Sequence, residues 1–423
     1  MQVLNFIATQ IFGQAAVLFG LIVLFGLLLQ RKSASDVLMG TVKAIIGYFV
    51  LMAGVTLLQN AINPVVSWIQ AIIGVEGVQP QEFFVMGIVM ENYAGQVGMA
   101  VVIGFALNII LARITRFKNV AITGHLMLHW SAWIVGMVAA TSLPGWAVVL
   151  LSGAICGMQY WLSPTIISYF MRKNDRMTDE YTVYCHEVTG IAFASWFGKL
   201  IGNPDKSCED INVPKGMEWL RDSTVSMAII AAVIWIVLGI IAGPAVVAES
   251  SGGQNWLIYL LLLAMQFAGG LTVLLQGVRM LIAELVPAFE GIAEKFVPGA
   301  LPGLDYPTVF GFSQNAVFIG FVFNLIGAVL ATVFLIAVKA PIVVLPAVWI
   351  NFWQGGIMGV FADVYGGRRA VIVTTLIAGF VSAIGWGFIY PLQGVASTCG
   401  AVYNYTDSAT YGALLAWLIH LIP

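Results

Sequence analysis

The chain has 423 residues, 60% hydrophobic and only 9% charged, with a mean hydropathy of +0.95 and a formal net charge of −2. A soluble domain carries roughly 25% charged residues, so a chain this poor in charge cannot hydrate a surface of its own size, and lipid must be much of its solvent. Nothing in the near-neutral balance points to nucleic acid, and Cys156, Cys185, Cys208 and Cys399 share no spacing typical of zinc or redox sites, so neither a metal nor a cofactor is expected.

A spanning helix needs about 20 apolar residues. In chain order, apolar runs fall at roughly 5–29, 38–59, 94–113, 120–141, 146–171, 223–248, 256–279, 315–338, 341–361, 370–391 and 407–422. The first lacks a basic region ahead of it and runs on to Arg31, which reads as a span and not as a cleaved leader. The pattern predicts an all-α polytopic membrane protein of about 11 transmembrane helices.

Basic residues follow the odd-numbered runs. Arg31, Lys32 and Lys43 follow the first, and Arg113, Arg116 and Lys118 the third. Arg172, Lys173, Arg176, Lys199, Lys206, Lys215 and Arg221 follow the fifth, Arg279 and Lys295 the seventh, and Arg368 and Arg369 the ninth; Lys339 alone lands opposite. The positive-inside rule then puts the N-terminus outside and the C-terminus in the cytoplasm. The polar stretch of about 172–222 is cytoplasmic on this reading, and too short and broken to be a catalytic domain.

Two anchors recur in the same order. Gly54-Val55 with Leu58 and Pro64 matches Gly277-Val278 with Leu281 and Pro287, and Val101, Ile103-Gly104-Phe105 and Asn108 match Val317, Ile319-Gly320-Phe321 and Asn324. Equivalent runs lie an odd number of crossings apart, so the halves are expected to be inverted repeats, over about 5–171 and 223–391, within one membrane domain of 1–423 that ends in a helix at about 407–422. In such transporters the substrate sits near midplane where the repeats meet. Residues 74–93 and 287–314 are rich in Pro, Gly and polar side chains and are candidate re-entrant segments, since irregular backbone at membrane depth must be satisfied by protein or by a wet cavity. Glu82 and Asp305 fall at roughly corresponding places in them.

Ionisable groups in apolar sequence are functional candidates by default. His125 and His129, four apart on one helix face, can donate and accept hydrogen bonds as a hydroxylated ligand requires; the bland alternative is a pair of core histidines, and zinc lacks a third ligand. His186-Glu187 lies in apolar sequence beside the polar stretch, either dipping into the membrane or solvated. Asp305, next to Tyr306, suits bidentate gripping of vicinal hydroxyls, with helix capping after Pro302 as its competitor. Arg279, near Glu284 and Glu290, reads as an interfacial charge, and His420 as uninformative.

At these residues the chain resembles the ascorbate-specific enzyme IIC family of the bacterial phosphoenolpyruvate-dependent phosphotransferase system. The resemblance is carried by Thr123-Gly124-His125 with Met127, Phe193-Ala194-Ser195-Trp196, Gln276-Gly277-Val278-Arg279-Met280 with Ala283-Glu284-Leu285, Pro298-Gly299-Ala300 leading to Asp305, Asn315-Ala316-Val317, and Phe361-Ala362 with Gly366-Gly367 through Arg369-Ala370. It implies a homodimer of 11-span protomers, with interleaved core and V-shaped subdomains, an elevator-like step, and phosphorylation of the arriving sugar by a separate IIB subunit supplied by IIA. It also implies that Gly54, His125 and Asp305 lie around the ligand. The chain departs from that family at His129 and Val55, where Gln and Ser are usual, and at His186-Glu187, where a His-Gln pair stands; the expected substrate therefore widens to L-ascorbate or a related sugar, sugar acid or polyol. The alternatives are a secondary transporter uncoupled from phosphorylation and an intramembrane enzyme, and the latter lacks any metal motif or nucleophile–base pair.

Overall fold

The computed structural model of the protein describes residues 15–73, 77–211 and 223–423. Its first elements are α1 (Ala15–Leu29), α2 (Ala34–Ile73), β1 (Gly77–Pro80), α3 (Glu82–Ile114), β2 (Asn119–Ala121), α4 (Gly124–Val138), α5 (Gly145–Arg172), β3 (Thr182–Val183) and α6 (Val188–Ile201). Then follow α7 (Ser223–Ala242), α8 (Pro244–Ser250), α9 (Trp256–Phe296), β4 (Leu301–Leu304), α10 (Pro307–Phe310), α11 (Gln314–Ala337), β5 (Val343–Val344), α12 (Val348–Ile389), β6 (Ala401–Val402), α13 (Thr406–Ala409) and α14 (Tyr411–His420).

Among the described residues, five helices are long and apolar enough to cross a membrane, in α2, α3, α5, α11 and α12, and the bent pair α7–α8 makes a sixth. The protein is a polytopic helical membrane protein. Where it differs from the eleven apolar runs, the backbone gives the reason. The run at 120–141 holds the 15-residue α4, and the run at 407–422 holds α13 and the 10-residue α14. At 1.5 Å per residue α4 and α14 are about 22 Å and 15 Å long, short of a hydrocarbon core of about 30 Å. The runs at 341–361 and 370–391 share the 42-residue α12, which breaks at Gly367 (φ 66°). There a Cβ would collide with the carbonyls of Asn203 and Lys206, so only glycine fits both the left-handed backbone and the close approach. The run at 256–279 opens the 41-residue α9, which passes through Pro287 as α2 passes through Pro64. Part of the first run, residues 5–14, lies outside the described residues.

The two irregular stretches hold strands. β1 lies between β5 and β6, and β4 between β2 and β3, in two three-stranded parallel sheets. The segments are driven out of helix by Pro80 and Pro302, which disfavour helical backbone at the preceding residue and remove an amide donor. Pairing with partners from the other half of the chain satisfies backbone groups that water would satisfy elsewhere. Thus β1 takes both its neighbours from residues beyond 340, and β4 takes both of its own from residues before 184.

The helices sort into two packing groups. α1, α2, α7, α8 and α9 pack chiefly on one another; α3 to α6 and α10 to α14 form the second group with the sheets. In the second group the residues of the second anchor sit at close contacts. Gly104 of α3 faces Gly157 of α5, and Gly320 of α11 faces Gly355 of α12, so backbones approach without intervening side chains. Asn108 holds β2 through Asn119 O (3.1 Å) and Ala121 N (3.0 Å), while Asn324 donates to Thr375 O (3.0 Å). Gly320→Ala pushes a methyl group into the Gly355 carbonyl and is expected to cost about 1–3 kcal/mol. Thermal unfolding in detergent reads this as a lowered midpoint, and Gly87→Ala on α3, where a Cβ would meet nothing within 4 Å, should leave the midpoint unchanged or raise it.

Candidate functional site

Five strands each feed a helix, and the junctions meet. β1 leads through Gln81 into α3 at Glu82; β2 leads through Thr123 into α4 at His125; β3 leads through His186 and Glu187 into α6; β4 leads through Asp305 and Tyr306 into α10; β6 leads through Asn404 and Tyr405 into α13. Parallel strands present their carboxyl ends, and helices their amino ends, to one region, an arrangement that leaves polar groups pointing outward from the strand ends.

His125 Nε2 stands 3.5 Å from Asp305 Oδ2, with the His125 side chain 15% exposed. Asp305 Oδ1 accepts the Tyr306 amide at 2.8 Å. The rings of His125 and His129 are 5.9 Å apart, so the four-residue spacing does put both on one face of α4. His129 also meets the edge of Phe83 at 4.9 Å. α4 owes this position to its sequence: apolar nearly all round, it is buried along its whole length, and His125 is its one partly open side chain. Glu82 Oε1 accepts from Trp349 Nε1 at 2.9 Å, and the side chains of Asn404 and Tyr405 lie beside the same carboxylate. Glu187 Oε2 accepts the Thr406 amide at 3.0 Å, close to Tyr306 and Glu82.

His186 is fully buried and uses both ring nitrogens, Nε2 with the Tyr184 hydroxyl (3.1 Å) and Nδ1 with the Tyr403 hydroxyl (3.0 Å). It ties the β3–α6 junction to the β6–α13 junction, inside the membrane fold and not in a solvated loop. Gly54 lies elsewhere, buried in α2, whose packing partners are α1, α7, α8 and α9. The Val55 side chain is outside the described residues. Arg279 is exposed on α9, and Glu284 pairs with Lys43 at 3.6 Å.

Several buried polar atoms of this cluster have no partner in the protein: Glu82 Oε2, Glu187 Oε1, His129 Nδ1, the Tyr306 hydroxyl, and both amide atoms of Asn404. Burying such atoms unpaired costs about 1–3 kcal/mol each, so their concentration in one place makes the cluster the candidate site for a hydrogen-bonding ligand. Aromatic faces adjoin it, with Trp130 4.9 Å from His186 and Tyr306 6.0 Å from Trp353. A cavity of about 530 Å³ opens next to it, lined by Val65, Trp235, Leu325 and Leu330 and touching the cluster through Gln81 and Trp349. Among the described residues no group of three His, Cys, Asp or Glu could hold a metal ion.

Asn404, Tyr405, Tyr403 and Asp407 were not legible as members of this cluster. They fall in what the apolar pattern assigns to a connection and a final span, and their signal is the polar-aromatic run Tyr403-Asn404-Tyr405-Thr406-Asp407 ahead of an apolar helix. Asp407 stands one layer behind, accepting from the Thr189 amide and hydroxyl (both 2.9 Å) and from Gln159 (3.3 Å).

The fold is thus a multi-span helical membrane protein in which strand-to-helix junctions meet in one buried polar cluster. The chain belongs to the EIIC-GAT family, the sugar-specific permease component of phosphotransferase systems, whose family model matches residues 10–407. It is 26% identical, over 95% of this chain and 69% of the relative, to the ascorbate-specific phosphotransferase-system EIIC component of Mycoplasma pneumoniae. Membership makes it one component of a system with other phosphotransferase subunits.

Proposed function

We propose that the chain translocates a small polyhydroxylated solute, L-ascorbate or a related sugar, sugar acid or polyol, and delivers it to a separate IIB subunit that phosphorylates it with phosphate relayed from IIA. The observation that carries this reading is the convergence of unpartnered buried polar atoms around Asp305 and His125. In it Asp305, His125, Glu82, Glu187, Tyr306 and Asn404 grip hydroxyls, His129 closes one wall, and His186 holds two junctions in place. The similarity to an ascorbate-specific component supports a solute of that size. Gly54 reaches the solute in this reading only across the gap between the two packing groups.

The halves are inverted repeats in this reading, a proposal supported by the reciprocal strand exchange and by the paired contacts of Gly104 and Gly320. The group of α1, α2, α7, α8 and α9 is the V-shaped, dimer-forming scaffold, and the second group is the core that carries the solute past it in an elevator step. The cavity of about 530 Å³ lies along that sliding contact. The N-terminus is outside, the C-terminus cytoplasmic, and about eleven segments traverse the membrane in whole or in part.

Uptake into vesicles containing this chain is expected to require IIA, IIB and a phosphate donor, with phosphorylated solute as the product. Accumulation of unmodified solute under a proton or sodium gradient alone would identify a secondary transporter instead.

A further inference from the structure

We infer that the cavity of about 530 Å³ between the two packing groups is a lipid site, which takes one acyl chain of a membrane phospholipid from the bilayer and seats it across both groups. The inference is independent of which solute the protein carries.

The chemistry of the walls excludes most occupants. Among the lining residues only Gln79, Gln81 and Thr332 are polar, and none is charged. The Thr332 hydroxyl is turned to the protein's own carbonyls, Val344 O (2.7 Å) and Ala328 O (3.0 Å). Trp349 Nε1 is likewise committed, donating to Glu82 Oε1 at 2.9 Å. Gln81 Oε1 is buried without a partner at the end that adjoins the cluster, but a bound water needs several polar partners, and an apolar cavity stays dry. A polyhydroxylated solute seated here would leave most of its hydroxyls unpaired, at a cost for each. A hydrocarbon chain asks for no such partners.

The mouth faces the bilayer. Ile326, Val329, Leu330 and Val333 line the cavity and are 40%, 42%, 47% and 58% exposed. Their spacing puts them on one face of α11, which is among the helices long and apolar enough to cross a membrane. Across the cavity, on α7, Val233 and Val237 are exposed beside the lining residues Ile234 and Trp235. The opening is thus framed by side chains whose solvent is lipid, and a chain enters without crossing a polar boundary.

Behind the mouth the floor is fixed. The Leu345 amide donates to Val78 O (2.9 Å), extending the pairing of β1 with β5, and Phe321, Trp235 and Trp349 are buried in the walls. Val65 of α2 and Trp235 of α7 come from the first packing group, and Leu325, Leu345 and Trp349 from the second, so a chain seated here touches both. The volume is roughly that of eighteen water-sized groups, the scale of a single acyl chain and too small for a whole phospholipid. The headgroup therefore stays outside, and burial of apolar surface alone supplies the affinity.

The test uses the full-length protein in vesicles of phosphatidylethanolamine and phosphatidylglycerol, doped with phosphatidylglycerol that carries a diazirine near the end of one acyl chain. After irradiation, peptide mass spectrometry locates the labelled residues. Label is expected on Trp235, Val65 and Leu345, which are only 1%, 6% and 2% exposed and out of reach of the bulk bilayer, as well as on the lipid-facing Val333. Val329→Trp fills the mouth from an exposed position, and is expected to abolish the label on Trp235 and Val65 while that on Val333 persists. Label confined to exposed side chains such as Val333 and Val237 in the wild-type protein would overturn the proposal. Undiminished label on Trp235 in the Val329→Trp variant would overturn it as well. If that variant fails to fold, the wild-type pattern alone decides.

Discussion

Asp305→Asn is expected to weaken solute binding by about 100-fold, two charged hydrogen bonds at about 1.5 kcal/mol each, while the protein still folds. The variant keeps the side-chain volume and an oxygen for the Tyr306 amide, now 2.8 Å from Oδ1. It loses the charge facing His125 and presents an amide donor in place of the Oδ2 lone pairs. With Asp305 only 5% exposed, water does not take over the lost contacts. Titration of the variant beside its thermal midpoint separates binding from folding: a large affinity loss with a small midpoint shift is the expected result, and near-normal affinity removes Asp305 from the solute.

Asp363→Ala is expected to act the opposite way, on stability more than on affinity. The fully buried Asp363 carboxylate accepts from the Ser207 hydroxyl (2.6 Å), the Cys208 amide (2.6 Å), the Ser313 hydroxyl (2.8 Å) and Arg176 Nη2 (3.1 Å). It thereby fastens the segment after α6 to the start of α11, where Glu209 also accepts the Asn315 amide at 2.6 Å. Arg176 is 37% exposed and screened, so its loss counts for little. The orphaned amide and hydroxyls should cost about 3 kcal/mol. A lowered unfolding midpoint and faster proteolytic cleavage between residues 172 and 211 are the expected readouts, and an unchanged midpoint would show that the fastening is not structural.

The members of the polar cluster were easier to read from the sequence than the architecture that gathers them. His125 and Asp305 stood out because ionisable groups are rare in apolar sequence, and the structure places them 3.5 Å apart. Glu82 and Glu187 stood out for the same reason and fall in the same cluster. Gly104 and Gly320, singled out by the recurrent pattern, both sit at close helix contacts. The two sheets left no comparable trace. Strands of two to four residues are too short for any alternation to register, and their pairing joins residues more than 100 positions apart or across the chain's two halves. α4 is apolar because it is buried in protein, and a helix buried in protein is as apolar as one buried in lipid; α14 is apolar yet exposes Leu414, Trp417 and Leu418. Asn404 and Tyr405 escaped notice because uncharged polar residues in a connection are ordinary; only the fold brings them beside Glu82.

The most direct test is a structure of the protein determined with its tightest-binding solute among L-ascorbate, sugars, sugar acids and polyols. The solute is expected to contact Asp305 and His125, with Glu187 or Glu82 on a further hydroxyl. A solute seated in the apolar cavity lined by Trp235 and Leu330, out of reach of both Asp305 and His125, would contradict it.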